Sequence, residues 1–214
     1  MDPDRPEIPG AVLAALAEAQ GYGFIGPGDL NPHLAHSIGF ATALARIRRK
    51  GLDPSDLVAD LGPGGGLPGL ALAALHQDVR FALIEGSARR ANFLRQAVDR
   101  SGLSTGVEIL GKRAELVGRS PTHRGRFTVV VARLLGSPSE VAELGAPLLR
   151  DGGHLVVSEP PGDPGDTRWP TDGVGLVGLG PATISRGYAV LELVAPCPDR
   201  YPRRVGIPRK RPLF

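Results

Sequence analysis

The sequence predicts an α/β fold, a doubly wound and mostly parallel sheet of about seven strands, preceded by a short helical extension. Three observations carry that expectation. Short apolar, β-branched runs at 57–61, 80–85, 107–110, 126–132 and 153–159 alternate with segments of helical pattern, and strands apolar throughout belong to a sheet covered on both faces. A glycine-rich turn, "GPGGGLPG" (62–69), directly follows the first run, where open α/β sheets bind their ligands. The 214 residues suffice for one domain with a small appendage, and a chain of that length buries roughly 70% of its unfolded surface.

Taken in order, residues 10–20, "GAVLAALAEAQ", read as a helix with an Ala/Leu face, stopped by Gly21 and Gly23. "GFIGPGDLN" (23–31) is a turn-rich connection. Residues 31–50 form a second helix with Asn31 as cap and Pro32 in its first turn. Its basic end complements the helix dipole, and Gly51 terminates it. "LVADL" (57–61) is a buried strand, followed by a helix over 68–75. "RFALIE" (80–85) leads into the helix "SARRANFLRQAVDRSG" (87–102), and "VEIL" (107–110) and "RFTVVVA" (126–132) are the third and fourth strands. "SPSEVAELGAPLL" opens with Ser137 and Glu140 at capping-box spacing and Pro138 at the first helical position. "GHLVVSE" (153–159) is a fifth strand, and 160–173 a loop rich in Pro, Gly and Asp. "GVGLVGL" (173–179) and "GYAVLELVA" (187–195) read as a closing strand pair that brings an antiparallel strand to one edge. The resulting division is an N-terminal helical extension over 1–51, a main domain over 52–199 and a basic C-terminal tail over 200–214.

Composition narrows the function classes. With 42% apolar residues and a mean hydropathy of −0.03, the chain reads as soluble and globular, and no run approaches the roughly 18 apolar residues of a membrane span. The acidic, Pro-rich "MDPDRPEIPG" lacks the basic start and apolar centre of a signal peptide, so the cytoplasm is the expected compartment. Cys197 is the single cysteine, which excludes an internal disulfide and a Cys-based zinc site. His33 and His36 stand at i, i+3 without a third ligand, so no metal is expected. A monomer is expected. The net charge of +3 is unevenly placed: residues 200–214 hold six of the 25 Lys/Arg and no acid, leaving 19 basic against 22 acidic residues elsewhere. Such a tail suits a polyanionic partner or a solvated terminus equally well.

The glycine loop is the informative feature. A phosphate-binding P-loop requires Gly-Lys-Ser/Thr before the helix, and this loop has no lysine. "GGGLPG" (64–69) matches the dinucleotide spacing literally but starts late after the strand. Asp60 near the strand end, Gly62, Gly64 and Gly66 behind it, and Glu85 at the end of the next strand fit S-adenosyl-L-methionine better. An acidic residue after the second strand accepts ribose hydroxyls, and a sulfonium and an amino group favour acceptors over a phosphate cradle. Methylation at carbon 5 of a pyrimidine needs a cysteine nucleophile, and Cys197 lies after the last strand. Methylation of an exocyclic amine uses an Asp/Asn-Pro-Pro-aromatic turn after the fourth strand, where this chain reads "VVVARLLG". What remains is a nucleophile that needs little activation.

"ADLGPGGGLPGLALA", "ALIEGSARRANFLRQAV", "KRAEL", "VVVARLLG" and "DRYPRRVGIPRKRPL" resemble, in order, the motifs of the RsmG (GidB) family. The resemblance implies a Rossmann-like methyltransferase fold and methyl transfer from S-adenosyl-L-methionine to N7 of a guanine in 16S ribosomal RNA, on the small ribosomal subunit. It places Gly62 and Leu67 along the cofactor, Glu85 where the family has Asp, and Ala114 and Glu115 around the adenine. Arg133 falls at the family's arginine shared by the cofactor and substrate pockets, and is the residue expected to act in catalysis. The tail's Arg203, Arg204, Arg209 and Lys210 are the expected phosphate contacts, and Tyr201 either stacks on a base or packs the tail onto the domain. This chain departs from the family at "HLAHSI" (33–38), with His36 in an Asp position, at Thr128, which follows Phe127 in place of Asp, and at "SEPPG" (158–162), which replaces a Lys-Gly. Guanine N7 carries a free lone pair, so attack needs in-line positioning and exclusion of water rather than a base. Glu159, after the fifth strand, reads equally as an acceptor facing the cationic purine or as a solvated loop residue. Two other readings stand beside this one: a small-molecule methyltransferase on the same scaffold, against which the basic tail argues, and a non-catalytic RNA-binding module, against which the intact glycine loop argues.

Overall fold

A computed structural model describes residues 7–48, 51–162 and 166–214. The sequence "MDPDRP", the basic helix end at Arg49 and Lys50, and residues 163–165 of the expected loop lie outside the described residues. Two helices come first, α1 (Gly10–Gly21) and α2 (Leu30–Arg48). α2 starts ahead of its expected cap: Asp29 Oδ1 accepts the amide N–H of Asn31 at 2.9 Å, so Asp29 supplies the cap. At the other end Arg48 bonds the buried Asp56 at 2.9 Å, tying the helix to the approach to the first strand.

The strands are β1 (Leu57–Leu61), β2 (Arg80–Ile84), β3 (Val107–Leu110), β4 (Phe127–Ala132), β5 (Leu149–Ser158), β6 (Thr183–Ser185) and β7 (Tyr188–Glu192). They form one sheet in the order 3-2-1-4-5-7-6. β1 to β5 pair in parallel, and β7 runs antiparallel to both of its neighbours. Between them lie α3 (Gly69–Leu75), α4 (Ala88–Arg100), α5 (Ala114–Gly118), α6 (Pro138–Gly145) and α7 (Thr171–Gly175), with α8 (Ile207–Lys210) in the tail. Ser137 Oγ accepts the Glu140 N–H at 3.2 Å, as the capping spacing predicts.

Each strand sends alternate residues to opposite faces. Val129 and Val131 of β4 join the core beneath α1 to α4, while Val130 and Ala132 join the core formed with α6, α7 and the tail. Both faces are therefore buried, as the apolar runs require.

The closing hairpin differs from expectation. "GVGLVGL" is not a strand: Val174 and Val177, both fully buried, are three apart, and this spacing serves α7 and the turn after it. Only Leu179 makes a bridge, to Leu193. The hairpin partner of β7 is β6, joined through Arg186 and Gly187 at φ 47° and 81°, a two-residue turn whose positive φ values match strand twist.

The tail is part of the domain surface. Arg124 donates to the carbonyls of Tyr201 and Cys197 at 2.6 and 2.8 Å, Arg119 to that of Pro202 at 2.7 Å. The Leu213 N–H reaches Ser139 Oγ at 2.6 Å. Tyr201 is buried.

Candidate active site

β1 and β4 are neighbours whose connections depart to opposite faces of the sheet, the topological switch point at which such folds bind ligands. Above their carboxyl ends lies a cavity of about 620 Å³, within the range of small-molecule sites. Its floor is the glycine loop. Gly62, Gly64 and Gly66 take φ values of 69°, 58° and 112°, a left-handed backbone that favours glycine. Gly62, Gly64 and Leu67 line the cavity. Gly66 does not: it faces Leu70 and Leu16 within the core.

Asp60 also lies off the cavity. It is wholly buried, and its Oδ2 accepts the Gly69 N–H at 2.7 Å. A Cβ on Gly69 would stand 2.6 Å from that oxygen, so glycine is what lets α3 approach β1. Burial pushes the Asp60 carboxyl up to about 7, against the Gly69 N–H and the field of Arg133. Asp60 holds the loop from behind.

Glu85 stands on the cavity wall, past the end of β2. Its Oε1 accepts from the Ser87 N–H at 2.7 Å and Arg90 at 3.0 Å, and its Oε2 from the Gly64 N–H at 3.3 Å. The lightly bonded Oε2 retains acceptor capacity. Ala114 and Glu115, at the start of α5, also line the cavity. Burial disfavours the charge on Glu115, but the Gly206 N–H at 2.8 Å and Arg113 at 3.3 Å outweigh it and hold the carboxyl below its usual range.

Arg133 lines the cavity just past β4. Its guanidinium donates to His33 Nδ1 at 2.7 Å, which leaves the imidazole proton on Nε2. His33 belongs to α2, so the N-terminal extension builds the cavity wall together with Phe24 and Ile25. His36, one turn on, packs against Tyr188 and Phe40 with ring centroids 5.2 and 5.8 Å away. Burial lowers its pKa, as do Arg133 and His33.

Several expected contacts lie elsewhere. Glu159 is an anchor: Arg168 donates to one oxygen at 2.7 Å and the Trp169 indole to the other at 2.8 Å, and it does not line the cavity. Thr128 Oγ1 bridges β4 to β1, accepting from the Leu57 N–H at 2.9 Å and donating to the Leu57 carbonyl at 3.0 Å. Tyr201 packs into the domain beneath Arg200. Arg203 is engaged by the buried Glu143, with Nη2 at 2.6 Å and Nε at 2.8 Å. Arg204 and Lys210 are exposed, and Arg209 is exposed on the cavity's rim. Sequence reasoning did not single out Phe24, Ile25, Arg90, Arg113 or Glu140 as cavity residues. The only signal for the first two was the glycine-bounded "GFIG".

A family model described as "GidB: rRNA small subunit methyltransferase G" matches residues 27–159. Proteins named "Ribosomal RNA small subunit methyltransferase G" from Rubrobacter xylanophilus, Moorella thermoacetica and Deinococcus radiodurans are 36%, 34% and 36% identical over 73%, 76% and 82% of this chain. The matched regions span 64%, 71% and 73% of those relatives' own lengths. Among solved structures, a methyltransferase from Geobacter sulfurreducens superposes with a TM-score of 0.58 at 17% identity, over 89% of this chain and 93% of that one. A structure described as a putative O-methyltransferase from Klebsiella pneumoniae gives 0.53 at 14% identity, over 86% and 88%. Those likenesses show the fold alone; the family model and the sequence relatives show that the chain belongs to the rRNA small subunit methyltransferase G family.

Proposed function

We propose that the chain transfers a methyl group from S-adenosyl-L-methionine to N7 of a guanine in 16S ribosomal RNA, acting in the cytoplasm on the small ribosomal subunit. The observation that carries this is the cavity at the switch point, where the family's motif residues Gly62, Gly64, Leu67, Glu85, Ala114, Glu115 and Arg133 meet. The residues fit the cofactor. Positive-φ glycines keep the floor free of side chains, the Oε2 of Glu85 has acceptor capacity for a ribose diol, and the α5 wall offers Ala114 beside a pinned Glu115. The cofactor would supply an electrophilic methyl on a sulfonium. Every other contribution belongs to the chain.

Guanine N7 has its own lone pair, so the chain has no proton to remove from it. Arg133, held by His33, presents donors from the strand end toward the substrate side. In-line positioning of the base within the cavity, with water held off the reacting atoms, would carry the transfer. Arg204, Arg209 and Lys210, exposed on the tail, provide phosphate contacts, Arg209 from the cavity's rim.

The test uses small subunits from a strain lacking the enzyme. Incubation with protein and cofactor should create one new site of borohydride- and aniline-dependent cleavage, the signature of a cationic N7-alkylated purine. Arg133→Ala should lose that site while staying folded. Methyl label on a small molecule, or on a base atom other than N7, would overturn the assignment.

A further inference from the structure

We propose that Leu134 is an apolar wedge that enters the RNA base stack in the place vacated by the target base. The proposal rests on the reading above, that a base of ribosomal RNA enters the cavity. Leu134 is 88% exposed, more than any other large apolar residue among the described ones; the next, Val194, is 64% exposed. Burial would be the ordinary fate of a leucine that follows a central strand of the sheet. Its backbone lies in the left-handed region at φ 52°, a conformation that costs a branched residue about 1–2 kcal/mol and clusters at functional sites. Among the described residues the only other non-glycine with positive φ is Arg186, which the β6–β7 hairpin turn accounts for.

The flanking residues explain what the left-handed conformation achieves. Arg133 before it and Leu135 after it line the cavity, and Leu134 itself stands among the lining residues at the cavity's edge. Leu135 lies so close to the loop that a Cβ on Gly62 would stand 2.6 Å from its Cδ1. Both neighbours are thus held inward, and the backbone twist at residue 134 turns the side chain between them out to solvent at the cavity's mouth. Arg113 and Arg209 line the same cavity with largely exposed side chains, a charge pattern that suits the phosphates beside an entering base.

A base methylated inside a cavity must leave its stack. Proteins that open a base step fill the gap with a Leu, Ile, Phe or Met side chain. An exposed leucine fixed beside the arginine of the pocket meets that requirement.

The test compares Leu134→Gly and Leu134→Met with wild type, using radiolabelled S-adenosyl-L-methionine and small subunits from a strain lacking the enzyme. Glycine adopts φ 52° without strain, so Leu134→Gly should melt at or above the wild-type temperature and bind the cofactor unchanged. Its kcat on subunits should fall about 10-fold or more, the scale of one lost stacking contact. Leu134→Met, flexible and apolar, should retain most of the rate. Wild-type kcat in Leu134→Gly would overturn the wedge, as would an equal loss in Leu134→Met. A matching loss of cofactor affinity in Leu134→Gly would assign Leu134 to the cofactor wall instead, overturning the wedge. Failure of wild type to label the RNA would overturn the function and the wedge with it, so the two failures are distinguishable.

Discussion

Arg203→Ala should destabilise the fold rather than weaken RNA binding directly, and the size of the effect follows from one buried carboxylate. Glu143 is fully buried. Its Oε1 accepts from the Arg203 backbone N–H and from Nε, both at 2.8 Å, and its Oε2 from Nη2 at 2.6 Å. Truncation to alanine leaves Oε1 with the backbone bond and removes the bond to Oε2. Removing one partner of a buried ion pair costs about 3–5 kcal/mol. The surviving N–H, and an Arg203 side chain that is itself 26% exposed, place this case near 3 kcal/mol on that scale. For a chain of this size about 2–4 °C of melting temperature is lost per kcal/mol, so the melting temperature should fall by roughly 6–12 °C. Arg204→Ala, at an exposed position, should stay within about 0.5 kcal/mol. Calorimetric melts of both variants decide. A melting temperature unchanged in Arg203→Ala, together with a flatter salt dependence of RNA binding, would make Arg203 a phosphate contact and refute the reasoning.

Three further outcomes are expected. Asp60 carries a folded pKa of about 7 against about 3.9 unfolded. Its contribution is therefore full below about pH 4 and lost as pH rises through about 7, so Asp60→Asn should gain stability relative to wild type across that window in urea melts; a pH-independent difference would show that Asp60 titrates normally. Gly64→Ala places a Cβ 3.5 Å from the Phe24 carbonyl at φ 58°, tolerable at about 1–2 kcal/mol, yet on the cavity floor; calorimetry should show cofactor affinity reduced about 10-fold or more, and equal affinities would remove the loop from the site. Replacing Arg204, Arg209 and Lys210 together by alanine should reduce the slope of log K against log salt by about 0.7 per lost contact for single-stranded RNA, leaving cofactor binding intact; an unchanged slope would confine these cations to solvent.

The sequence by itself determined the layered fold, the glycine-rich turn after β1 and the family, because each is written in local pattern. Strand runs, a cap at Ser137 and glycines with positive φ depend on neighbours a few positions away. Tertiary structure decided which of the similar residues face the site. Asp60 and Glu85 both look like acids at strand ends. Asp60, however, is inside β1, in register with Leu83 and Val131, while Glu85 stands one residue beyond the end of β2. A shift of that size separates a buried clamp on Gly69 from a wall of the cavity. Arg203 and Arg204 are adjacent and chemically identical, yet one meets a carboxylate 60 positions away in the chain and the other meets water. Residues of the extension reach the cavity through distant packing: His33 because α2 packs on α3, β5 and β7, and Phe24 because its ring packs on Phe93 of α4. Long-range contacts of this kind are set by how the layers close on one another, and no short window of sequence contains that geometry.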